Sequence, residues 1–150
     1  QKAFIQYDTL EKFPLEMKVV EQLQFDKVIL NPELHDAFLN LHQAPWNEPV
    51  DVIPYFTLQK IHETLEEFVP PRAYYDLIYF DAFAPEKQPE LWSDNMFAKL
   101  FLATRPGGVL VTYCAKGSFK RSLKAAGFEV EALPGPPGKR EMTRGLRPVE

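Results

Sequence analysis

The sequence predicts an α/β protein with a mostly parallel sheet. Short apolar segments rich in aromatic and β-branched residues alternate along the chain with segments of helical periodicity, which is typical of such folds. One continuous apolar run, Leu77–Phe80, predicts a strand that is buried on both faces of the sheet. The run ends at Asp81, and open α/β sheets bind ligands at the carboxyl ends of their strands. From this segment alone, Asp81 could equally be a residue that caps a turn.

The first predicted elements are a strand over residues 3–7 and a helix that begins near Pro14, because proline is favoured in a first helical turn. Apolar residues spaced four apart predict the buried stripe of this helix: Leu15, Val19 and Leu23. Glu11 lies between the strand and the helix. An acid at this place binds ribose hydroxyls in nucleotide-binding α/β folds, or simply favours the helix dipole.

A second helix and further strand structure are predicted over residues 31–61. Asn31 and Pro32 have the features of a helix start, an N-cap residue followed by proline. The segment Val50–Ile61 is rich in β-formers, although Pro54 limits its first half to an edge or a bend. A short helix is expected over Glu63–Phe68.

Past Asp81, a helix capped by Ser93 or Asp94 is predicted to end at Pro106–Gly108, before a buried strand over Val109–Tyr113. A further helix is expected to begin at Ser118 and to stop at a glycine, Gly127. The last predicted strands cover Phe128–Leu133 and Arg140–Leu146, the second of them antiparallel to its neighbour.

Length and composition favour a single globular domain over residues 1–150. No apolar run approaches the ~20 residues of a membrane helix, and the first residues lack a signal-peptide pattern. Cys114 is the only cysteine, which excludes an internal disulfide and fits a reducing cytoplasm. His35 and His42 lie seven residues apart, so no metal site is predicted and both are expected on a helix surface.

Charge is distributed unevenly along the chain. Residues 1–103 contain 8 basic and 17 acidic side chains, whereas residues 104–150 contain 9 basic and 4 acidic ones. Such a basic segment either binds a polyanion or is a solvated surface. The residues expected on it share an outward helix face or follow the proline-rich turn: Lys120, Arg121, Lys124, Lys139 and Arg140.

Five segments, in this order, resemble one family, the methyltransferase domain of MnmC, a bacterial enzyme that modifies the wobble uridine of tRNA. The most specific of them has the pattern D-A-F-A-P-x-K-x-P-x-x-W. The segments are Glu11–Leu15, Phe80–Trp92, Arg105–Gly108, Ala126–Phe128 and Gly138–Met142.

The resemblance implies a class I, Rossmann-like methyltransferase fold with helices on both faces of the sheet and a C-terminal antiparallel hairpin. It implies S-adenosyl-L-methionine as cofactor, tRNA as partner and a cytoplasmic location. The implied reaction N-methylates the aminomethyl group of 5-aminomethyl-2-thiouridine at the wobble position. An oxidoreductase domain or partner acting on the same base is implied as well.

Site roles follow from the same resemblance. Glu11 would bind the cofactor ribose, and Asp81 corresponds to the acid beside the methyl-transfer centre. Phe83 and Pro85 would shape a pocket for a flipped base, which an aromatic wall suits.

The chain departs from the family pattern in two places. The first strand and its glycine-rich turn, which hold the methionine part of the cofactor, have no counterpart here, so the domain is expected to be N-terminally incomplete. Where the family has Gly-Asp, this chain has Glu63-Thr64, which leaves Glu63 as the nearest acid for an adenine contact.

Two other functions remain open from the sequence. The chain could be a non-catalytic RNA-binding or structural remnant that does not bind the cofactor without the missing segment. A nicotinamide-dependent oxidoreductase would share the acid at the strand end, but the glycine fingerprint of that class is absent.

Overall fold

The strands form two separate sheets, each within its own unit of the chain. The structure, a computed structural model, describes residues 3–23, 32–138 and 140–149. These belong to an N-terminal unit, Gln1–Phe68, and a C-terminal unit, Val69–Glu150. The α/β class is confirmed, but the prediction of a mostly parallel sheet is wrong. Among the described strands one pair in each unit is parallel and the other three pairs are antiparallel, because an apolar pattern indicates a strand but not the direction in which it pairs. Within the described ranges, no helix has the length and apolar character needed to cross a membrane.

The N-terminal unit has a three-stranded sheet in the order β1-β3-β2. Its elements are β1 (Ile5–Leu10), α1 (Met17–Gln22), α2 (Pro32–Gln43), β2 (Pro49–Ile53) and β3 (Phe56–Ile61). β1 is parallel to β3, and β2 is antiparallel to it. The predicted bend at Pro54 is a hairpin turn, in which the next residue, Tyr55, has a φ of 71°.

The buried stripe predicted for α1 is wrong. The helix begins at Met17, so Leu15 precedes it, and the buried residue is Val20, which is 1% exposed. Val19 and Leu23 are both more than 40% exposed. The helix has six residues, which is less than two turns. Because the predicted helix started too early, the four-residue spacing selected side chains that do not face the core. The predicted cap of α2, Asn31, lies outside the described residues.

A buried lysine closes the end of α2. Lys60, on β3, is 7% exposed, and its ammonium donates to the carbonyl of His42 at 2.6 Å. The same ammonium lies 4.7 Å from the centre of the Trp46 ring. A cation at a helix C-terminus stabilises the carbonyls that have no partner within the helix. Burial lowers the pKa of Lys60.

The C-terminal unit has a four-stranded sheet in the order β4-β5-β7-β6. Its elements are β4 (Tyr75–Tyr79), a 3-10 helix (Pro89–Trp92), α3 (Asp94–Ala103), β5 (Thr104–Thr112), α4 (Gly117–Ala126), β6 (Glu129–Pro134) and β7 (Glu141–Leu146). β4 and β5 are parallel, whereas β7 is antiparallel to both of its neighbours. The predicted C-terminal antiparallel hairpin is therefore confirmed.

The prediction that Leu77–Phe80 is buried on both faces is wrong. β4 is the first strand of its sheet, and two of its side chains are exposed, Leu77 by 42% and Tyr79 by 65%. Only Phe80, just after the strand, is fully buried. An apolar run indicates a strand but not its position in the sheet, and an edge strand is less covered than a central one.

Packed aromatic rings form much of the core of this unit. Phe97 is fully buried, and its ring centre lies 5.6 Å from that of Phe80 and 5.1 Å from that of Phe119. Trp92 packs edge-on against Phe80 at 5.0 Å. Such edge-to-face pairs stabilise a core beyond the area that they bury. This cluster supports the 3-10 helix and the segment that follows β4.

Two of the four helix ends predicted in this unit are confirmed. The end predicted at Pro106–Gly108 is wrong, because α3 ends at Ala103 and β5 already begins at Thr104. Ser93 caps α3, because its Oγ accepts a hydrogen bond from the amide of Met96 at 3.3 Å. Gly127 ends α4 with a φ of 112°, in the left-handed region that favours glycine. The cap predicted at Ser118 is wrong, since Lys116 is the N-cap residue of α4 and makes no capping side-chain bond.

Candidate active site

Asp81 and Tyr113 leave the C-terminal sheet at the same edge. β4 and β5 run parallel, with Tyr79 opposite Val111. The amide of Phe80 then donates to the carbonyl of Val111 at 2.9 Å, so the two backbone segments stay paired one residue beyond the end of β4. Asp81 thus lies at the carboxyl end of a strand, as predicted, and its side chain is exposed.

The backbone after Asp81 is held by side chains from two other elements. Tyr113 donates its hydroxyl hydrogen to the carbonyl of Ala82 at 2.8 Å. Trp92 donates from Nε1 to the next carbonyl, that of Phe83, also at 2.8 Å. Two consecutive carbonyls directly after Asp81 are therefore held by side chains from outside the loop.

Tyr113 is a site residue that the sequence analysis missed. Burial raises the pKa of its hydroxyl, and the charges of Cys114 and Asp81 raise it further. The hydroxyl is therefore protonated at neutral pH and acts as a donor. Its place in the sequence could have revealed it, because Tyr113 directly follows a buried strand that is parallel to β4.

Residues 80–88 connect β4 to the 3-10 helix and are called the Asp81 loop. Phe83 and Pro85 lie in this loop, two and four residues after Asp81. The Phe83 side chain is 69% exposed, and Pro85 is half-buried. The amide of Phe83 donates to Oε1 of Gln88 at 3.2 Å, so the loop is also braced internally. An exposed aromatic ring close in sequence to an exposed carboxylate can stack on a nucleobase while the acid accepts a hydrogen bond from it.

In the N-terminal unit, Glu11 and Glu63 leave their sheet at one edge. Leu10 pairs with Ile61 at the ends of the parallel strands β1 and β3, and the amide of Glu11 donates to the carbonyl of Ile61 at 3.0 Å. Glu11 is exposed and Glu63 is half-buried. Carboxylates accept hydrogen bonds, so this pair fits the hydroxyl groups of a ribose or an amino group on a base.

Glu11 also has a local structural role. Its Oε1 accepts a hydrogen bond from the amide of Phe13 at 2.7 Å, which closes a short turn after β1. This contact matches the simpler interpretation of Glu11 as a helix-start acid. It is compatible with ribose binding, because a carboxylate has about four acceptor sites.

Thr64 is engaged in a local capping arrangement. Its hydroxyl donates to Oε2 of Glu67 at 2.9 Å and accepts from the amide of Glu67 at 3.2 Å. The short helix predicted over Glu63–Phe68 is a single turn, closed by the Phe68 amide on the Thr64 carbonyl at 2.9 Å. This reciprocal cap gives Thr64 a structural function, whereas its predicted cofactor contact stays a prediction.

One member of the basic surface predicted on α4 forms an ion pair. Lys120 donates to Oε1 of Glu141 at 2.8 Å, so its charge is already paired. Arg121 and Lys124 are exposed on the same helix, and Arg140 is exposed just before β7. Another predicted member of this surface, Lys139, lies outside the described residues.

His42 is half-buried near the end of α2, where its ring centre lies 4.7 Å from that of Phe38. Burial lowers its pKa, and the neighbouring charge of Lys60 lowers it further. The side chain of His35 is not among those that the structure describes. In the part of the chain that is described, no group of three or more His, Cys, Asp or Glu side chains could hold a metal ion.

Comparison with known proteins defines the class of protein. Residues 55–148 match the model of a family described as S-adenosyl-L-methionine-dependent methyltransferase. The match covers β3, the Asp81 loop, Tyr113 and α4. The chain belongs to this methyltransferase family, whose cofactor is S-adenosyl-L-methionine.

Two similar curated relatives bear the name tRNA 5-methylaminomethyl-2-thiouridine biosynthesis bifunctional protein MnmC. That of Cupriavidus metallidurans is 47% identical over 68 residues, 45% of this chain and 10% of that protein. That of Ralstonia nicotianae is 44% identical over 74 residues, 49% of this chain and 11% of that protein. The matched segments thus span only about a tenth of these longer relatives. Over these segments the chain is similar to a part of MnmC.

A solved structure supports the fold. MnmC2 from Aquifex aeolicus superimposes with a TM-score of 0.67 at 20% identity, over 97% of this chain and 44% of that one. At this identity the likeness shows a shared fold. The class I methyltransferase architecture expected from the sequence is therefore confirmed.

Proposed function

We propose that this chain is the methyl-transferring part of an enzyme that acts on 5-aminomethyl-2-thiouridine at the wobble position of tRNA. The reaction would convert the aminomethyl group into the methylaminomethyl group. The observation that carries the proposal is the Asp81 loop, which presents an exposed carboxylate and an exposed aromatic ring on a backbone held by Tyr113 and Trp92. The choice of substrate is supported by the names of the relatives, which refer to the biosynthesis of 5-methylaminomethyl-2-thiouridine in tRNA.

The cofactor would supply an electrophilic methyl group. The task of the protein is then to align a nucleophilic amine and to manage its proton. An alkylamine has a pKa near ~10, like that of lysine, so it is mostly ammonium at neutral pH. The Asp81 carboxylate would hold this ammonium by a charge-assisted hydrogen bond and accept a proton from it. The amine nitrogen would then accept the methyl group, whose bond to the cofactor sulfur would break as the new nitrogen–carbon bond forms.

Phe83 and Pro85 would receive the base. A nucleotide in a folded tRNA must be extruded before an enzyme can reach its exocyclic group, and an extruded base gains stacking energy on an aromatic side chain. Phe83 is exposed enough to offer one face of its ring. With the base stacked on Phe83, its aminomethyl group would come within reach of Asp81, which is two residues away in sequence.

Cofactor binding by the N-terminal unit is part of the proposal. Glu11 would accept hydrogen bonds from the ribose hydroxyls, and Glu63 would accept one from the adenine amino group. Thr64 would contribute less to cofactor binding, because its hydroxyl already bonds to Glu67.

Contacts with the tRNA backbone would come from the basic surface of the C-terminal unit. Arg121, Lys124 and Arg140 are exposed and suited to phosphate. Lys120 would contribute less while it is paired with Glu141. The proposal includes a cytoplasmic location and, since the relatives are named bifunctional, an oxidoreductase domain or partner that acts on the same base.

The test is a methyl-transfer assay with nucleoside analysis by mass spectrometry. Two protein forms are incubated with S-adenosyl-L-methionine and tRNA carrying 5-aminomethyl-2-thiouridine. One is this chain, and the other is this chain preceded by the strand and glycine-rich turn that the family resemblance implies. The expected product is the methylaminomethyl nucleoside. The matched control is the same tRNA with an unmodified wobble uridine, which offers no amine and should remain unmethylated. Absence of product with both protein forms would overturn the proposal.

A further inference from the structure

We propose that Tyr113 is a positioning residue of this active site: its hydroxyl holds the peptide that follows Asp81 and thereby sets the place of the Asp81 carboxylate. The inference rests on the function proposed for Asp81 and adds a residue to it. Tyr113 lies outside the five segments on which the family resemblance was based, and the inference rests on its contacts in the structure.

The first argument is the geometry of the two strand ends. β4 and β5 are parallel, and the bond from the Phe80 amide to the Val111 carbonyl, 2.9 Å long, keeps them paired one residue beyond β4. Asp81 and Tyr113 are therefore the first residues after the paired part of β4 and β5. From there, the Tyr113 hydroxyl reaches across to the carbonyl of Ala82 at 2.8 Å.

The second argument is that the Tyr113 ring is itself held. Its centre lies 6.3 Å from that of Trp92 in an edge-on arrangement, and Trp92 is 9% exposed. The residues on either side of Tyr113, Thr112 and Cys114, are both buried. A donor on a fixed ring defines the position of its acceptor more narrowly than a donor on a mobile side chain, because less rotamer freedom remains.

Charge makes Tyr113 a donor to the loop rather than a base for the reaction. Burial raises the pKa of its hydroxyl, and electrostatic interaction with Cys114 and Asp81 raises it further. The hydroxyl therefore remains protonated under the conditions in which the enzyme would act. The base for the substrate amine must be another group, and the exposed Asp81 carboxylate is the acid that the hydroxyl helps to place.

Tyr113→Phe tests the inference because it removes the hydroxyl and keeps the ring against Trp92. We expect kcat for methyl transfer to fall by about 10-fold while the KM values for tRNA and cofactor stay the same, since alignment rather than binding is disturbed. Amide hydrogen exchange in the loop should become faster, at Phe83 above all, with no change in β5. Tyr74→Phe is the matched control, because Tyr74 precedes β4 at the end remote from Asp81, and it should leave both readouts unchanged.

The double variant Asp81→Asn with Tyr113→Phe separates positioning from a general structural effect. If Tyr113 acts through Asp81, its loss should cost almost nothing further once the carboxylate is gone. Two independent effects would instead multiply, and that result would overturn the inference. So would an unchanged kcat in Tyr113→Phe when Asp81→Asn alone is impaired.

Failure of the proposed function would look different. Normal turnover by Asp81→Asn would remove the acid from the chemistry, and with it the role of Tyr113 in placing that acid. If the wild-type protein methylates no tRNA, the exchange measurement still decides whether Tyr113 holds the loop. Unchanged exchange at Phe83 in Tyr113→Phe would then overturn the inference.

Discussion

The two units of this protein hold their candidate site residues in different ways. In the C-terminal unit, the backbone beside Asp81 is held by Tyr113 and Trp92, which are distant in sequence. In the N-terminal unit, the carboxylate of Glu11 bonds to the amide of Phe13, only two residues away. The first arrangement is set by packing and the second by a local turn. This difference suits an acid that must be aligned for chemistry and one that need only accept hydrogen bonds.

Burial divides the two units less sharply. Of the described side chains that are less than 2% exposed, Phe97, Leu110 and Leu123 are among those in the C-terminal unit, whereas Val20 belongs to the N-terminal one. Well-exposed apolar side chains occur in both units, for example Phe13 at 74% and Tyr79 at 65%. The aromatic core of the C-terminal unit is nevertheless buried where it adjoins the Asp81 loop.

The largest expected effect concerns the packing beneath the Asp81 loop. Phe97→Ala should lower the free energy of unfolding by about 3–5 kcal/mol, because it leaves a cavity among Phe80, Trp92 and Phe119. Chemical denaturation followed by circular dichroism measures this loss.

The matched control for that experiment is another phenylalanine of the same unit. Phe83→Ala removes a ring that is 69% exposed and should change stability by no more than about 0.5 kcal/mol, while it weakens tRNA binding. Equal destabilisation by the two substitutions would contradict the view that the Phe83 ring is available to a ligand.

Much of the C-terminal unit could be predicted because its signals are local. The stop at Gly127 and the cap at Ser93 depend on neighbouring residues, and the position of Asp81 follows from a short apolar run. The contact between Tyr113 and Ala82 spans 31 residues, and no local pattern encodes it. The exposure of β4 could not be predicted for a related reason, because it depends on the strand order of the sheet.

In the N-terminal unit, the burial of Lys60 was not predicted, whereas the stripe of α1 was predicted wrongly for a local reason. The carbonyl that Lys60 contacts lies 18 residues away, and a lysine in a β-prone segment is ordinarily expected at the surface. The stripe of α1 was misplaced because its first turn begins later than Pro14 suggests. Side-chain roles that depend on distant partners cannot be read from the chain order.

The next effect tests the acid of the N-terminal unit. Glu11→Ala should weaken binding of S-adenosyl-L-methionine by about 10-fold, the value of a lost hydrogen bond to a charged group. Isothermal titration calorimetry provides the measurement. Glu16→Ala, an exposed acid that precedes α1, is the control and should bind like the wild type. Equal binding by Glu11→Ala would leave Glu11 with only its turn-closing role.

A smaller effect is expected at the tRNA surface. Neutralising Lys120, Arg121 and Lys124 together, each as glutamine, should lower the slope of log affinity against log salt by about two rather than three. The reason is that Lys120 is paired with Glu141. Lys18→Gln, an exposed lysine of the N-terminal unit, is the control. An unchanged slope in the triple variant would mean that this surface is only solvated.

The smallest effect is a pH dependence. The hydrogen bond and charge of Lys120, followed by the charge of Arg140, hold the pKa of Glu141 below its ordinary value. A carboxyl whose pKa is lower in the folded state stabilises the protein above its unfolded pKa of about 4.3 and loses this effect as the pH falls through the lowered value.

Lys120→Met should therefore have a slightly lower Tm than the wild type at pH 7, and the difference should shrink below the unfolded pKa of about 4.3 and vanish once the pH is below the lowered pKa of Glu141. Thermal unfolding across this range measures it. Lys124→Met is the control, because it leaves the partner of Glu141 in place. A Tm difference for Lys120→Met that persists unchanged in acid would show that the Glu141 pair does not cause it.

The central claim is that the Asp81 carboxylate manages the proton of the substrate amine, and the pH dependence of Asp81→Asn tests it most directly. At pH 7 methyl transfer to aminomethylated tRNA should fall by about 10²-fold or more. The defect should shrink towards pH 9, because the amine, with a pKa near ~10, then loses its proton without help. Asp94→Asn, an exposed acid in the first turn of α3, should transfer methyl groups normally. Near-normal turnover of Asp81→Asn at pH 7 would contradict the claim.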